Sequence, residues 1–169
     1  WRACAVYSVE YRKAPESPFP AAVDDCFVAL TFISKQSGIN PKQLAVGGDS
    51  AGGNLATVMA LMARDAGGPA ISFQVLIYPG ADQRMKHDSI KRNGEGYLLT
   101  EKSMLYFRGH YLPNEKDWLD WRASPLLRPS LKGVAPALII GAEHDPLVDE
   151  NEAYAQRLRA DGVSTEYVC

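Results

Sequence analysis

Gly48-Asp49-Ser50-Ala51-Gly52 fits the pattern G-x-S-x-G and lies where that pattern has a mechanical meaning. The apolar run 44–46 before it predicts a buried strand, and the apolar spacing after it predicts one face of a helix over 51–65. A serine on such a sharp strand-to-helix turn presents its hydroxyl at the end of a sheet, and the flanking glycines permit the tight backbone. The helix N-terminus, with the Ala51 N–H, directs its positive end at any negative charge that develops beside Ser50. The stretch therefore predicts a nucleophile for acyl transfer.

The same glycine-rich turn could instead bind phosphate at a helix N-terminus. A P-loop ends on Gly-Lys-Ser/Thr, whereas this turn continues as Gly52-Gly53-Asn54. The dinucleotide pattern G-x-G-x-x-G does not fit either, and the Asp49 carboxylate would repel a phosphate. A nucleotide-binding turn is therefore disfavoured.

The composition is that of an ordinary globular domain. The 169 residues are 46% hydrophobic and 22% charged, which is enough for one domain with its own core. The net charge of −2 gives no reason to expect nucleic acid or an anionic membrane as a partner, and no apolar run approaches the roughly 20 residues of a membrane span. The three cysteines are widely spaced, which predicts no metal site and no disulfide framework and favours a reducing, cytoplasmic compartment.

Strand-like and helix-like segments alternate along the chain. The hydrophobic patterns predict strands at 3–9, 43–47, 71–78, 137–140 and from 163 onward. They predict helices at 51–65, at 149–161 and from Pro20 to about Gly38. Repeated strand–helix–strand units with apolar strands predict an α/β fold, with a mostly parallel sheet and helices on both faces. Because the chain begins and ends inside strand-like segments, we expect a partial domain, 1–169, that is incomplete at both termini.

The stretch 81–131 breaks this alternation. It is polar up to Glu95 and then rich in aromatic residues, with a helix predicted from its N-cap Thr100 to Tyr111. We interpret 81–131 as an insertion over the edge of the sheet and expect most of its aromatic side chains to form a local core.

A serine hydroxyl needs a base to take its proton and a carboxylate to orient that base. Open parallel sheets place reactive residues just past the carboxyl ends of their strands. This rule selects Asp145, which follows the strand 137–140 after a short turn. Asp82, which follows the strand 71–78, is the second choice, and Asp149 lies where a helix cap is expected. The sequence therefore predicts Asp145 as the acid of a catalytic triad.

The histidine base is expected after the acid, and no histidine follows Asp145. His87 and His110 precede it, and His144 is its immediate neighbour, so we interpret these three as surface or packing residues. A glycine-rich H-G-G-G loop, the usual second oxyanion donor, is also missing. We expect the base beyond Cys169 and the loop before Trp1, in a longer parent protein.

Several motifs, in order along nearly the whole chain, resemble the hormone-sensitive-lipase-like family of α/β-hydrolases, the bacterial family IV esterases. Residues 11–16 (YRKAPE) and 18–22 (PFPAA) resemble the family's Y-R-L-A-P-E-x-P-F-P-A-A, and residues 48–56 (GDSAGGNLA) match its serine signature. Its later markers are resembled by residues 76–79 (LIYP), 124–126 (SPL) and 145–150 (DPLVDE), the last of which carries the catalytic Asp.

The resemblance implies an α/β-hydrolase fold and hydrolysis of short- to medium-chain carboxylic esters through an acyl-enzyme, with no cofactor. It implies Ser50 as the nucleophile, Asp145 as the triad acid and Ala51 as an oxyanion-hole donor. The family's histidine, its H-G-G-G loop and its N-terminal cap have no counterpart here, so we expect this chain to be inactive alone. Two alternatives stay open. One is a non-catalytic small-molecule receptor on the same fold, as in the plant gibberellin receptors that resemble this family and lack the base. The other is a serine peptidase or amidase.

Overall fold

The computed structural model describes residues 4–169. Within that part of the chain the strands are β1 Leu44–Asp49, β2 Ile71–Ile77, β3 Ala137–Ile140 and β4 Thr165–Val168. The helices are α1 Ala21–Ile33, α2 Ala51–Asp65, α3 Asp88–Asn93, α4 Glu101–Tyr111 and α5 Val148–Ala160. Two short 3₁₀ turns, Glu115–Leu119 and Pro125–Leu127, lie between α4 and β3.

The strands form one parallel sheet in the order β1-β2-β3-β4. Asp49, Ile77 and Ile140 lie side by side in register at the carboxyl ends of the first three strands. Because parallel strands end at the same edge, the turns that follow them meet above that edge. This architecture confirms the predicted α/β fold class.

One face of the sheet carries the core. Leu76 and Ile139 are neighbours in register, are fully buried and pack with side chains of α2 and α5 in one hydrophobic cluster. Helix α1 packs against α2 in a second cluster that includes Val23 and Val58. The alternate strand positions face the other way and stay half-buried or exposed, among them Ala45, Phe73, Val75, Leu138 and Val168.

The prediction of helices on both faces therefore holds for one face only within residues 4–169. The strand order explains this result, because each crossover steps in the same direction across the sheet. Crossovers between parallel strands are almost always right-handed, so steps in one direction place every crossover helix on the same side.

The predicted strand 3–9 is wrong for the residues that the structure describes, and residue 3 itself lies outside them. Residues 4–9 form no strand, and Val6 is 85% exposed. A strand exists only where a neighbouring backbone accepts and donates its hydrogen bonds. In the described part of the chain, β1 is an edge strand bonded only to β2, and residues 4–9 pair with none of the four strands.

Helix α1 ends at Ile33, earlier than the predicted end near Gly38. The Ser34 hydroxyl donates to the Thr31 carbonyl at 2.8 Å, and the following N–H groups bond to carbonyls three residues back. Such bonds tighten the last turn and compete with continuation of the helix.

The other predicted elements agree with the structure to within one or two residues. Helix α2 and strand β3 have the predicted bounds, and α4 begins directly after Thr100. The Thr100 Oγ1 accepts a hydrogen bond from the Ser103 N–H at 3.1 Å, as expected of an N-cap. The interpretation of 81–131 as an insertion stays a prediction.

Strand β1 passes into α2 through a backbone contact too close to admit a side chain. A Cβ on Gly48 would lie 2.4 Å from the carbonyl carbon of Gly52, and a Cβ on Gly53 would lie 3.0 Å from Pro79. A Cβ on Gly52 would meet none of the described atoms within 4 Å. The close approach of β1 and α2 therefore requires glycine at position 48, the first glycine of the G-x-S-x-G pattern. At position 52, the second glycine, a side chain would meet none of the described atoms at its Cβ.

The turn 79–82, which follows β2, is held from two helices by buried amide side chains. Asn54 of α2 donates to the Gly80 carbonyl at 2.7 Å, and Asn151 of α5 donates to the Pro79 carbonyl at 2.6 Å. Both asparagines are at least 95% buried. The turn is thereby fixed between α2 and α5.

Glu150 of α5 also holds this turn. Its Oε1 accepts hydrogen bonds from the N–H groups of Ala81 at 2.6 Å and Asp82 at 3.3 Å. The side chain is almost fully buried, and burial raises the pKa of Glu150 to about 8 because the charged form loses its solvation. The nearby Asp82 and Asp145 carboxylates act in the same direction. The carboxyl group is therefore mostly protonated at neutral pH.

We expect Gly48→Ala to destabilise the chain and Gly52→Ala to be tolerated. The methyl group introduced at position 48 must displace backbone atoms, which costs on the order of 3 kcal/mol of stability and lowers Tm by about 6–12 °C. The methyl group introduced at position 52 meets none of the described atoms, and alanine favours the helix. The free energy of unfolding should therefore change by no more than about 1 kcal/mol. Thermal unfolding of the two variants beside the parent chain tests this pair. Equal Tm values for both variants would contradict the contact argument.

We expect the protonation of Glu150 to make the chain less stable as the pH rises. The pKa of Glu150 is about 8 in the folded chain, and its usual value is 4.5. The free energy of unfolding that this group contributes is therefore complete below pH 4.5, falls as the pH rises, and is lost once the pH passes 8. The slope for one proton is at most about 1.4 kcal/mol per pH unit. Glu150→Gln should flatten the Tm profile between pH 5 and 8, whereas Glu152→Gln, at an exposed site on the same helix, should not. A Glu150→Gln profile parallel to that of the parent would refute this assignment.

Candidate active site

Ser50 lies between β1 and α2 in a backbone conformation that residues with a side chain rarely adopt. Its φ is 51° and its ψ is −114°, and a non-glycine residue in such a region costs about 1–3 kcal/mol. Hydrogen bonds on both sides hold it there. The Ser50 N–H donates to the Ile77 carbonyl at 2.9 Å, and the Ser50 carbonyl accepts from the N–H groups of Asn54 at 3.0 Å and Gly80 at 3.3 Å. This strained turn is the geometry that the sequence pattern predicts.

The Ser50 side chain is free to meet a ligand. Ser50 is the N-cap of α2, yet its hydroxyl makes no capping hydrogen bond, and the residue is exposed. The first N–H groups of α2, beginning with that of Ala51, have no partner within the helix and carry its partial positive charge. An anion that forms beside the Ser50 Oγ would therefore face backbone donors.

Asp145 lies in the turn between β3 and α5. Its Oδ1 accepts a hydrogen bond from the Leu147 N–H at 2.8 Å. Asn93 of α3 donates to the carbonyl groups of Asp145 and Glu143, at 3.1 and 3.2 Å, and so fixes the turn. Burial raises the pKa of the Asp145 carboxyl, although the bond from Leu147 opposes the shift. A half-buried carboxylate with spare acceptor capacity is suited to bind and orient a cationic partner.

Ser50 and Asp145 rise from the same edge of the sheet. Ser50 follows Asp49, the last residue of β1, and Asp145 lies in the turn after Ile140, the last residue of β3. Strand β2 separates them, with Ile77 in register with both strand ends. Sequence reasoning therefore placed the two candidate residues on one edge, as the structure has them.

The two competing carboxylates have other partners. Asp149 does not cap α5, because the N-cap is Leu147; instead it accepts from the Ser89 N–H at 2.8 Å and pairs with Arg92 at 2.7 Å. Asp82 is buried and pairs with Arg84 at 2.6 Å. Burial opposes the charge on Asp82, but the bonds from Arg84 outweigh it and lower the pKa of that carboxyl.

The recorded contacts of the three histidines are to residues other than Ser50 and Asp145. The His87 Nε2 is 3.5 Å from the Asp82 carboxylate, His110 packs edge-on against Tyr106, and His144 stacks on Tyr97. Within residues 4–169 none of them makes a hydrogen bond to Ser50 or Asp145. Their interpretation as packing residues agrees with these contacts.

A cavity of about 550 Å³ opens beside Ser50, and Ser50 and Ala51 form part of its wall. Much of the remaining wall is apolar, and α4 supplies Met104, Tyr106 and Phe107. Tyr106 and Phe107 are 64% and 60% exposed, so for them the expected local core is wrong. Asp145 does not line this cavity, although Leu147 does, as suits an acid that acts through a second group.

Sequence reasoning missed the residues that support the site. Asn54, Glu150 and Asn151 are buried, and each holds the turn 79–82 through the bonds described above. A signal was available, since Asn54 lies in a mostly apolar helix that is buried along most of its length. A polar residue in such a position needs a partner and points to a structural hydrogen bond.

Two further classes of site are absent from the part of the chain that the structure describes. Residues 4–169 hold no group of three or more histidine, cysteine, aspartate or glutamate residues that could bind a metal ion. Among them, none of the helices has the length and apolar character needed to span a bilayer. All three cysteines are free, and Cys26 is buried in the core as predicted.

Comparison with known proteins yields carboxylic ester hydrolases. The chain is 45% identical over 170 residues to the carboxylic ester hydrolase LipN of Mycobacterium tuberculosis H37Rv, covering 95% of this chain and 45% of that protein. It is 41% identical over 167 residues to the ethyl acetate hydrolase of Pseudomonas putida, covering 95% and 52%. The chain thus spans about half the length of the curated relatives that it matches.

The same similarity extends to solved structures. An esterase of Pyrobaculum calidifontis superposes with a TM-score of 0.90 at 41% identity, over 94% of this chain and 54% of that one. The profile of the family described as alpha/beta hydrolase fold matches residues 2–169. The chain therefore belongs to the alpha/beta hydrolase fold family, in its hormone-sensitive-lipase-like esterase branch.

Proposed function

We propose that this chain is part of a serine carboxylesterase that hydrolyses short- to medium-chain esters without a cofactor. One observation carries the proposal, which is the strained Ser50 with its free hydroxyl at the N-terminus of α2. A protein that used this turn for folding alone would gain nothing from holding a serine in that conformation. The ester hydrolases among its relatives support the same reaction class.

In the proposed mechanism the Ser50 Oγ attacks the ester carbonyl and loses its proton to a base. The carbonyl oxygen gains negative charge and is stabilised by the Ala51 N–H and the dipole of α2. The tetrahedral intermediate collapses, expels the alcohol and leaves an acyl group on Ser50. Water then attacks the acyl-enzyme by the same route and releases the acid.

Asp145 acts through the base rather than on the substrate. Its carboxylate fixes the tautomer of an imidazole and stabilises the imidazolium that forms. His87, His110 and His144 contact other residues, so we propose that the imidazole comes from outside residues 4–169. We propose the same for the second oxyanion donor, because these residues contain no H-G-G-G loop. We also propose that 81–131 is an insertion whose helix α4 forms one wall of the substrate cavity.

The cavity supports the proposed substrate class. Its volume of about 550 Å³ lies within the range typical of small-molecule sites. Its largely apolar lining suits the acyl chain of an ester. The small net charge of the chain gives no reason to expect a polyanionic substrate.

The complete protein should hydrolyse 4-nitrophenyl esters, and Ser50→Ala should abolish this activity. Asp145→Asn should lower kcat by about 10³- to 10⁴-fold, because the imidazole loses its orienting charge. Asp149→Asn, an identical change four residues on, should alter kcat by no more than a few-fold. Steady-state kinetics on acetyl to octanoyl esters measures these effects.

Labelling by a fluorophosphonate probe separates the alternatives. An esterase is labelled at Ser50, whereas a small-molecule receptor on the same fold stays unlabelled. A peptidase or amidase is labelled but should prefer peptide or amide substrates in direct competition. Equal ester hydrolysis by the parent and by Ser50→Ala would reject the proposed function.

A further inference from the structure

The cavity beside Ser50 contains charged groups, and most of them are neutralised by the chain itself. Arg12 pairs with Asp25 at 2.7 Å, and Lys13 pairs with Glu10. Asp82 pairs with Arg84 at 2.6 Å. Glu150 is held mostly protonated at neutral pH by its burial.

Arg108 differs from these groups. It lies on α4, lines the cavity and forms no ion pair with any described residue. Its guanidinium stacks on the Trp118 ring, 3.8 Å from the ring centroid, and one N–H donates to the Gln83 carbonyl at 2.8 Å. Glu115 is the acidic group that most affects it, but it lies beyond ion-pair distance. Burial lowers the pKa of Arg108, although an arginine still keeps its charge at neutral pH.

The contacts of Arg108 leave most of its hydrogen-bonding capacity unused. One N–H group is committed to Gln83, and the remaining donors of the guanidinium bond to none of the described residues. Stacking on Trp118 holds the group flat and half-buried, which reduces the entropy lost when it binds an anion. A planar, pre-oriented guanidinium with free donors matches the two oxygens of a carboxylate.

Arg122 provides a contrast on the same face of the molecule. It too lies over an aromatic ring, 5.3 Å from the centroid of Phe19, but it pairs with Asp120 at 2.8 Å and does not line the cavity. Arg122 is thus neutralised by a carboxylate of its own chain. Arg108 has none in residues 4–169.

We infer that Arg108 is a subsite for a carboxylate and that the substrates include esters bearing a second, ionised carboxyl group, such as half-esters of dicarboxylic acids. This inference rests on the proposed esterase function for the chemistry, but it concerns binding. The anion would sit against α4 while the ester carbonyl reaches Ser50 in the same cavity. Asp82 and Glu150 would oppose it little, because one is paired and the other is neutral.

The test compares two esters of equal length in the complete protein, mono-4-nitrophenyl glutarate and neutral 4-nitrophenyl valerate. The readout is the ratio of their kcat/KM values, anionic over neutral. Arg108→Gln keeps a donor for the Gln83 carbonyl and removes the charge, so it should lower the ratio by about 10- to 100-fold. Arg108→Lys should fall in between, and Arg122→Gln should leave the ratio unchanged. An Arg108→Gln variant that lowers both kcat/KM values equally would assign Arg108 to packing and overturn the inference.

Binding without chemistry separates this inference from the proposed function. On the Ser50→Ala background, calorimetry with monoethyl glutarate should give a Kd that rises about 10- to 100-fold when Arg108→Gln is added. An Arg108-dependent Kd in a protein that hydrolyses no ester would overturn the esterase and keep the subsite, as in a receptor. Ester hydrolysis together with a Kd that ignores Arg108 would keep the esterase and overturn the subsite.

Discussion

The contact between Gly48 and Gly52 is the constraint on which the candidate site depends. A methyl group on Gly48 would lie 2.4 Å from the Gly52 backbone, so β1 and α2 can meet at this angle only without a side chain there. The residue between them, Ser50, has a positive φ of 51°, and its hydroxyl makes no capping hydrogen bond to α2. The tight turn thus places the exposed Ser50 beside the N–H groups that any helix leaves free at its N-terminus.

The turn 79–82 extends that constraint across the sheet. Its Gly80 donates to the Ser50 carbonyl and accepts from Asn54, so one side belongs to the nucleophile turn. Its other side is bound by Glu150 and by Asn151, at the start of α5 and shortly after Asp145. The turn that carries the candidate nucleophile and the first turn of α5, which follows the candidate acid, are therefore both bonded to residues 79–82.

The sequence predicted correctly those parts of the fold that depend mainly on neighbouring residues. The bounds of α2 and the Thr100 cap follow from neighbouring residues, and the edge that carries Ser50 and Asp145 follows from a general rule of parallel sheets. The predicted strand at 3–9 was wrong for residues 4–9, because an apolar pattern does not show whether a neighbouring strand is present to pair with it. The roles of Glu150 and Asn151 were not predicted, because the donor to Glu150 and the acceptor from Asn151 lie 69 and 72 residues away along the chain.

The left-handed backbone at Ser50 also bears on how this sequence has been maintained. Glycine would relieve the conformation at once, since it lacks the Cβ that makes positive φ unfavourable. On stability alone, glycine would therefore be the better residue at position 50. Under the proposed function the serine is kept at a cost in stability, a trade-off common to residues that activity requires.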